Sequence, residues 1–310
     1  MQTVLKKVTR TFNLFPNQFL FSIHSSIQGW LFTIPALIPI VVFWIYPMIA
    51  SFYISLTDWD YMSPSYNFVW FENYIDLFTD SSFYQVLSNT VYFSIGTVLP
   101  IIFGGLGLAM LLTSKLQGLS FYRTIIFSPW VTPTVAVSIV WSWIYEPNVG
   151  LANWVLSLFH LPALEWTSSS TWAMPAIIIV TIWKGVGYSM IFYLHALKRV
   201  PEQLYEAASV DGASSWTKFW KITLPLISPT TLFLLIVSTI EALQAYDQIQ
   251  VLTQGGPAGS TRTLLYMFYQ SAFEEFNMGS ATAVSTIILL ITALLAVLQF
   301  IISKKWVHYY

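Results

Sequence analysis

The stretch "EAASVDGASSWTKFWKITLP", residues 206–225, gathers Glu206, Asp211, Lys218 and Lys221 in a chain that is only 9% charged overall. Apolar stretches of membrane length lie on both sides of it, so it reads as a compact polar hairpin between two spans. Val200-Pro201 starts a first helix, since proline suits a first helical turn, and Glu202 puts negative charge at the positive end of the helix dipole. Leu204, Ala207, Ala208 and Val210 give that helix a small or apolar surface. Gly212 can end it in a left-handed conformation. Ser214 or Ser215 then caps a second helix, "WTKFWKITL", which is expected to stop at Pro225.

The rest of the chain explains why the hairpin stands out. Its 310 residues are 56% hydrophobic and 17% aromatic, whereas soluble domains carry about 25% charged residues. Six windows reach the roughly 20 apolar residues of a helical span, at about 30–54, 90–113, 124–145, 172–196, 229–252 and 281–303. In hydrocarbon every backbone polar group must be paired, so these windows are helices. The expected fold class is an all-α polytopic membrane protein with six transmembrane helices. The first window, "WLFTIPALIPIVVFWIYPMIASFYI", lacks an A-x-A-like exit and reads as an uncleaved span. A net charge of −1 without a basic arm gives no sign of nucleic-acid binding. The absence of cysteine removes disulfides, thiolate metal sites and cysteine nucleophiles together. His24, His160, His195 and His308 show no metal-ligand spacing.

The basic residues orient the chain. Lys6, Lys7, Arg10, Lys115, Arg123, Lys198, Arg199, Lys218, Lys221, Lys304 and Lys305 precede the first span, follow the last, or fall in the even-numbered connections. The odd-numbered connections hold Arg262 as their one basic residue, beside nine acidic ones. By the positive-inside rule, both termini and the 197–228 loop are cytoplasmic. The expected organisation is a cytoplasmic segment at 1–29, a first helix at 30–56 and an extracytoplasmic segment at 57–89. A five-helix core at 90–303 follows, with the hairpin at 200–225, and then a tail at 304–310. Residues 1–29 form either a surface helix with Phe12, Phe15, Phe19 and Phe21 facing lipid, or a loose aromatic-anchored tail.

Within the spans, Gly104, Gly105, Gly107 and Ala109 favour close helix approach, and Pro129 and Pro133 imply a kink. Charged residues in mid-span point to function or pairing. Thr181, Lys184 and Tyr188 share one face of the fourth span, beside Gly185 and Gly187. Ser238, Glu241, Gln244, Ala245 and Gln248 share one face of the fifth, with Tyr246 and Asp247 beyond. Tyr188, Ser238, Glu241 and Gln244 offer a sugar or polyol hydrogen-bonding groups and an aromatic platform. An ion pair between Lys184 and Glu241, or bonds to a partner subunit, is the alternative use of the same groups.

The spacing Glu206-Ala207-Ala208, three residues, Gly212, nine residues, Ile222-x-Leu224-Pro225 resembles the EAA loop of ATP-binding-cassette importer permeases. Further on, "DQIQVLTQGGPAGSTRTLLYMFYQSAF" and "MGSATA" resemble the carbohydrate-uptake branch, of the maltose and glycerol-phosphate permease type. The resemblance covers about residues 30–303 and implies a type I importer permease (MetI-like) core. It implies that Glu206, Ala207, Ala208, Asp211 and Gly212 contact an ATPase subunit, and that Lys184, Gly185, Tyr188, Ser238, Glu241 and Gln244 lie along the substrate path. It further implies a second permease subunit, two ATPase subunits that bind ATP and Mg, and an extracytoplasmic substrate-binding protein. No GxxxxGK[ST] phosphate loop occurs in the chain, so no cofactor is expected in it and hydrolysis falls to the partner. Sugar, glucosyl-polyol and glycerol-3-phosphate remain open as substrates. An ion-coupled secondary transporter using Glu241 or Asp247 is the rival reading, although no inverted repeat is visible.

Overall fold

The computed structural model describes residues 30, 32–113 and 118–308. The expected N-terminal surface helix or tail therefore lies outside the described residues, as do Lys115 and the last two positions of the tail. Among the described residues the regular structure is helical, apart from one antiparallel bridge between Thr57 and Phe68. Five helices are long and apolar enough to cross a bilayer, or six if one bent pair counts as a single span.

The chain divides into two compact units, residues Met1–Tyr53 and Ile54–Tyr310. The first contains most of α1 (Phe32–Ile54), whose most apolar stretch has no buried side chain. A wider, π-type turn at Val41–Ile45 precedes Pro47. Proline lacks an N–H and crowds the carbonyl four residues back, and the wider turn relieves both problems without ending the helix.

The second unit begins with a loop that is folded back on itself. Asn73 donates to the carbonyls of Ser55 and Thr57, each at 2.9 Å. The expected extracytoplasmic segment is partly helical: α2 (Glu72–Thr79) lies inside it, and α3 (Ser81–Leu111) starts well before the apolar window. Asp80 caps α3 by accepting from the Ser82 amide and hydroxyl. These bonds hold its carboxyl below the usual carboxylate range.

The third window is two helices. α4 (Leu119–Val131) and α5 (Thr134–Ile144) meet at 101° across Thr132-Pro133. The expected kink is thus a full break: Pro133 cannot donate to α4, and the residue before it is driven into the extended region, with Thr132 at ψ 136. After α6 (Leu151–Leu158) comes α7 (Ala173–Arg199), unbroken over 27 residues. The most extensive helix packing joins α3 to α7. There a Cβ on Gly105 would overlap the Ser189 side chain, and one on Gly96 would meet Ile178 at 2.8 Å. Small residues in the second span thus do bring two helices together.

α8 (Glu202–Val210) and α9 (Ser215–Leu243) form the hairpin. The expected stop at Pro225 is overturned, because α9 runs through it. A π-type turn at Phe219–Thr223, with the Leu224 amide on the Phe219 carbonyl, widens the helix just before the proline, as in α1. α9 instead ends at Leu243, inside the fifth apolar window, and the short α10 (Asp247–Leu252) follows after three non-helical residues. α11 (Leu264–Tyr269) leads to α12 (Met278–Ser303), whose first two amides bond the Trp59 carbonyl. One apolar cluster is built on α3, α7 and α9, around Phe93, Ile177, Tyr193 and Leu234. A second joins Leu77, Phe83, Leu264 and Val284.

Candidate functional site

Both broken elements open onto the same place. α10 packs against α5, which brings the backbone breaks at Thr132-Pro133 and Gln244–Tyr246 near each other. Interrupted helix within a membrane is tolerated where it lines a polar cavity, and such a cavity is present. It has a volume of about 310 Å³. Thr97 and Ile101 of α3, Trp130 and Thr134 beside the first break, and Thr181, Lys184 and Gly185 of α7 line it. Ser238, Glu241 and Gln244 through Gln248 complete the wall.

Five of the six expected path residues therefore come together: Lys184, Gly185, Ser238, Glu241 and Gln244. Tyr188 lies one turn further along α7 and stacks on Trp130, with ring centroids 4.4 Å apart. The single helical face expected for Ser238, Glu241, Gln244, Ala245 and Gln248 does not exist. The helix ends at Leu243, so Gln244 and Gln248 reach the cavity from different elements. Gln248 donates to Thr181 at 3.5 Å and ties α10 to α7. Gly185 also serves packing, since a Cβ there would meet Ile101 at 2.8 Å.

The expected Lys184–Glu241 ion pair is replaced by another contact. The Lys184 ammonium donates to the Trp130 carbonyl at 3.3 Å and lies 5.1 Å from the centre of the Trp130 ring. That carbonyl is three residues before Pro133, where the helix runs out of donors. The lysine thus caps broken backbone, and the ring face adds a cation–π attraction. Glu241 and Asp247 stay exposed on the cavity wall. The cavity therefore presents two carboxylates and one ammonium, which is anchored to Trp130 but keeps its charge.

The hairpin has the geometry that its sequence requires. The Ala213 amide bonds the Ala208 carbonyl at 2.8 Å, and the Gly212 amide bonds that of Ser209 at 3.1 Å. This double closure needs a left-handed residue, and Gly212 has φ +72°. Ser214 caps α9 by accepting from the Thr217 amide at 3.2 Å. Lys218 donates to the Ser209 hydroxyl at 2.6 Å, and Tyr205 meets Thr223 at 2.8 Å, so the two arms are laced together. Glu206, Ala207, Asp211 and Gly212 are exposed and Ala208 is half-buried. Val210 is 89% exposed and Trp216 70%, an apolar tip on a polar elbow.

Trp130, Thr97 and Thr134 are cavity residues that the sequence reading passed over. A tryptophan between two prolines, in "SPWVTP", was the available signal for Trp130.

Comparison with known proteins agrees with this architecture. The family model described as "Binding-protein-dependent transport system inner membrane component" matches residues 90–308. The trehalose/maltose transport system permease protein MalF of Thermococcus litoralis is 35% identical over 265 residues, covering 85% of this chain and 90% of that protein. The sn-glycerol-3-phosphate transport system permease protein UgpA of Agrobacterium fabrum is 33% identical over 304 residues, covering 96% and 98%. Among solved structures, a bacterial ABC transporter involved in import of the acidic polysaccharide alginate contains a similar fold. That match has a TM-score of 0.78 at 23% identity and covers 93% of this chain and 99% of the other. With its broken spans, central cavity and EAA hairpin, the chain belongs to the family of inner membrane components of binding-protein-dependent transport systems, as a multi-pass permease subunit of an ATP-binding-cassette importer.

Proposed function

We propose that this permease passes a neutral sugar or polyol, and that a separate ATPase subunit drives it through the hairpin at 200–225. The observation that carries the substrate class is the charge of the cavity. Glu241 and Asp247 line it openly, while Lys184 is held by the Trp130 carbonyl and ring. A phosphate would meet two carboxylates against one ammonium on the cavity wall, and the surplus of negative charge would repel it. A neutral sugar needs donors, acceptors and an aromatic face instead. Gln244, Ser238 and Glu241 supply the polar groups, and Trp130, with Tyr188 stacked on it, the aromatic surface. The relatives named above include both a sugar and a glycerol-phosphate system, and this charge balance favours the former.

The coupling role of Glu206, Ala207, Ala208, Asp211 and Gly212 draws support from their exposure and from the rigid lacing beneath them. Because α9 continues unbroken from Ser215 to Leu243, a push on the hairpin moves the cavity wall at Ser238 and Glu241 directly. ATP and Mg would be bound by the ATPase subunits, two of which would dock on this chain and a second permease. An extracytoplasmic binding protein would deliver the substrate to the opposite side.

The test is uptake by the purified assembly in proteoliposomes, with binding protein outside and ATP inside. Labelled maltose or trehalose should enter in an ATP-dependent manner, and labelled glycerol-3-phosphate should not. Entry of glycerol-3-phosphate alone would overturn the neutral class. Uptake driven by an ion gradient without ATP would overturn the coupling mode.

A further inference from the structure

A second cavity, of about 650 Å³, lies at the hairpin end of α7 and α9, with Phe192, His195, Arg199, Leu226, Thr230 and His308 among its lining residues. The mechanism proposed above does not use it. Yet it is joined to the first by one continuous face of α7. Lys184, Tyr188, Phe192, His195 and Arg199 fall at i, i+4, i+8, i+11 and i+15, within a sector of about 80° at 100° per residue. They descend about 22 Å along the helix.

Aromatic rings bridge the interval. Trp130 of the upper cavity stacks on Tyr188 at 4.4 Å, Tyr188 meets Phe192 at 4.7 Å, and Phe192 meets Phe233 of α9 at 5.1 Å. Trp130, Tyr188 and Phe192 are half-buried, and Phe233 is 43% exposed. By contrast Tyr193, the neighbour of Phe192 on α7, is completely buried and places its hydroxyl on Thr231 at 3.1 Å. α7 thus has a closed core face and an open aromatic face, and both cavities lie on the open one.

We propose that the lower cavity is a second carbohydrate station, and that the ladder Trp130–Tyr188–Phe192–Phe233 conducts the sugar to it. This rests on the neutral-sugar reading of the upper cavity. A pyranose has a face of C–H bonds and a rim of hydroxyls. The C–H face lies against the uncovered sides of successive rings, since Trp130 and Tyr188 each give one face to their mutual stack. At the lower end the hydroxyls meet the donors of His195 and Arg199 and the hydroxyl of Thr230. Among the described residues no carboxylate side chain lines this end. The station holds the sugar between its departure from Glu241 and Gln244 and its release.

The test uses the complete assembly in proteoliposomes with radiolabelled maltose or trehalose as the probe. Phe192→Ala and Phe233→Ala should each lower the maximal uptake rate by about five- to tenfold. The concentration of loaded binding protein giving half-maximal rate should change little, because delivery occurs at the other end. Phe192→Tyr should restore the rate, whereas Phe192→Leu, which keeps bulk but has no ring face, should not. Wild-type rates in Phe192→Leu would overturn the ladder, leaving Phe192 as packing against a neighbouring subunit or lipid. A second readout is independent of rate: Ala196→Cys, on the cavity wall but outside the proposed hydrogen bonds, should be labelled by a thiol reagent more slowly when either disaccharide is present. Unchanged labelling would overturn the station. Failure of the wild-type assembly to take up either sugar, with its ATPase active, would instead overturn the neutral-sugar reading, and the station with it.

Discussion

Gly212 sits at φ +72° with nothing within 4 Å of the place a Cβ would occupy. A substitution there meets no neighbour inside this chain, so its cost has only two sources, backbone strain and whatever docks outside. A β-branched side chain in the left-handed region costs roughly 1–2 kcal/mol, and asparagine tolerates that region far better. Gly212→Val should therefore lose both ATPase-subunit co-purification and substrate-stimulated hydrolysis, while Gly212→Asn keeps most of the first. Equal behaviour of the two variants with the ATPase bound normally would remove Gly212 from the contact. Thr90 presents a different case. Its hydroxyl accepts from the Leu264 amide at 2.9 Å and donates to the Val86 carbonyl at 2.7 Å, at a fully buried position. Thr90→Val keeps the shape but strands the amide, which should cost about 1–3 kcal/mol and appear as a lower melting temperature in detergent. Gly212 was legible in the sequence because left-handed helix ends have a strong residue preference. Thr90 was not, since its partner lies 174 positions away.

Proline was read as a stop at Pro225, yet α9 passes it through a wider turn, as α1 passes Pro47. At Pro133 no such turn precedes it, and the helix breaks by 101°. Local sequence does not decide between these outcomes, since Pro100 in α3 and Pro229 in α9 are passed without a wider turn; at Pro133 the break goes with the packing of α5 against α10. The same holds for the end of α9 at Leu243, which lies inside an unbroken apolar window. Where α4 crosses α7, a Cβ on Gly187 would overlap the Ile126 carbonyl, which is backbone and cannot turn aside. Gly187→Ala should push these helices apart, disturb Trp130 and abolish uptake, with a lowered melting temperature as an independent sign of the displacement. Normal uptake and stability would show that the crossing is not tight. In the loop after α1, Asn67 side-chain and backbone donors hold the Asp58 carboxyl below its usual range. A depressed folded value gives stabilisation that is present above the ordinary carboxylate value, about 3.9, and fades as pH falls through the folded value. Proteolysis within 58–67 should accordingly be slow at neutral pH and accelerate only below about pH 4.

Across the whole molecule, composition was enough to specify a multi-pass helical membrane protein, because bilayer energetics leave few alternatives; the permease role was legible only through the resemblance of the 206–225 spacing to the EAA loop. The cavity was legible in part. Lys184, Ser238 and Glu241 stood out as polar groups in apolar spans, but the break that turns Gln244 inward, and the Trp130 carbonyl that holds Lys184, depend on tertiary packing. The central claim joins topology to mechanism: the hairpin faces the cytoplasm and is the element that the ATPase subunit moves. The chain has no native cysteine, so a single one can be placed at Val210, which is 89% exposed on the elbow. The most direct measurement is a short bifunctional crosslink from that cysteine in the assembled transporter, with and without ATP. The account predicts a crosslink to the ATPase subunit whose yield changes with ATP, and labelling of Val210→Cys by an impermeant reagent only from the cytoplasmic side. Labelling from the outside, or crosslinks only to other partners, would contradict it.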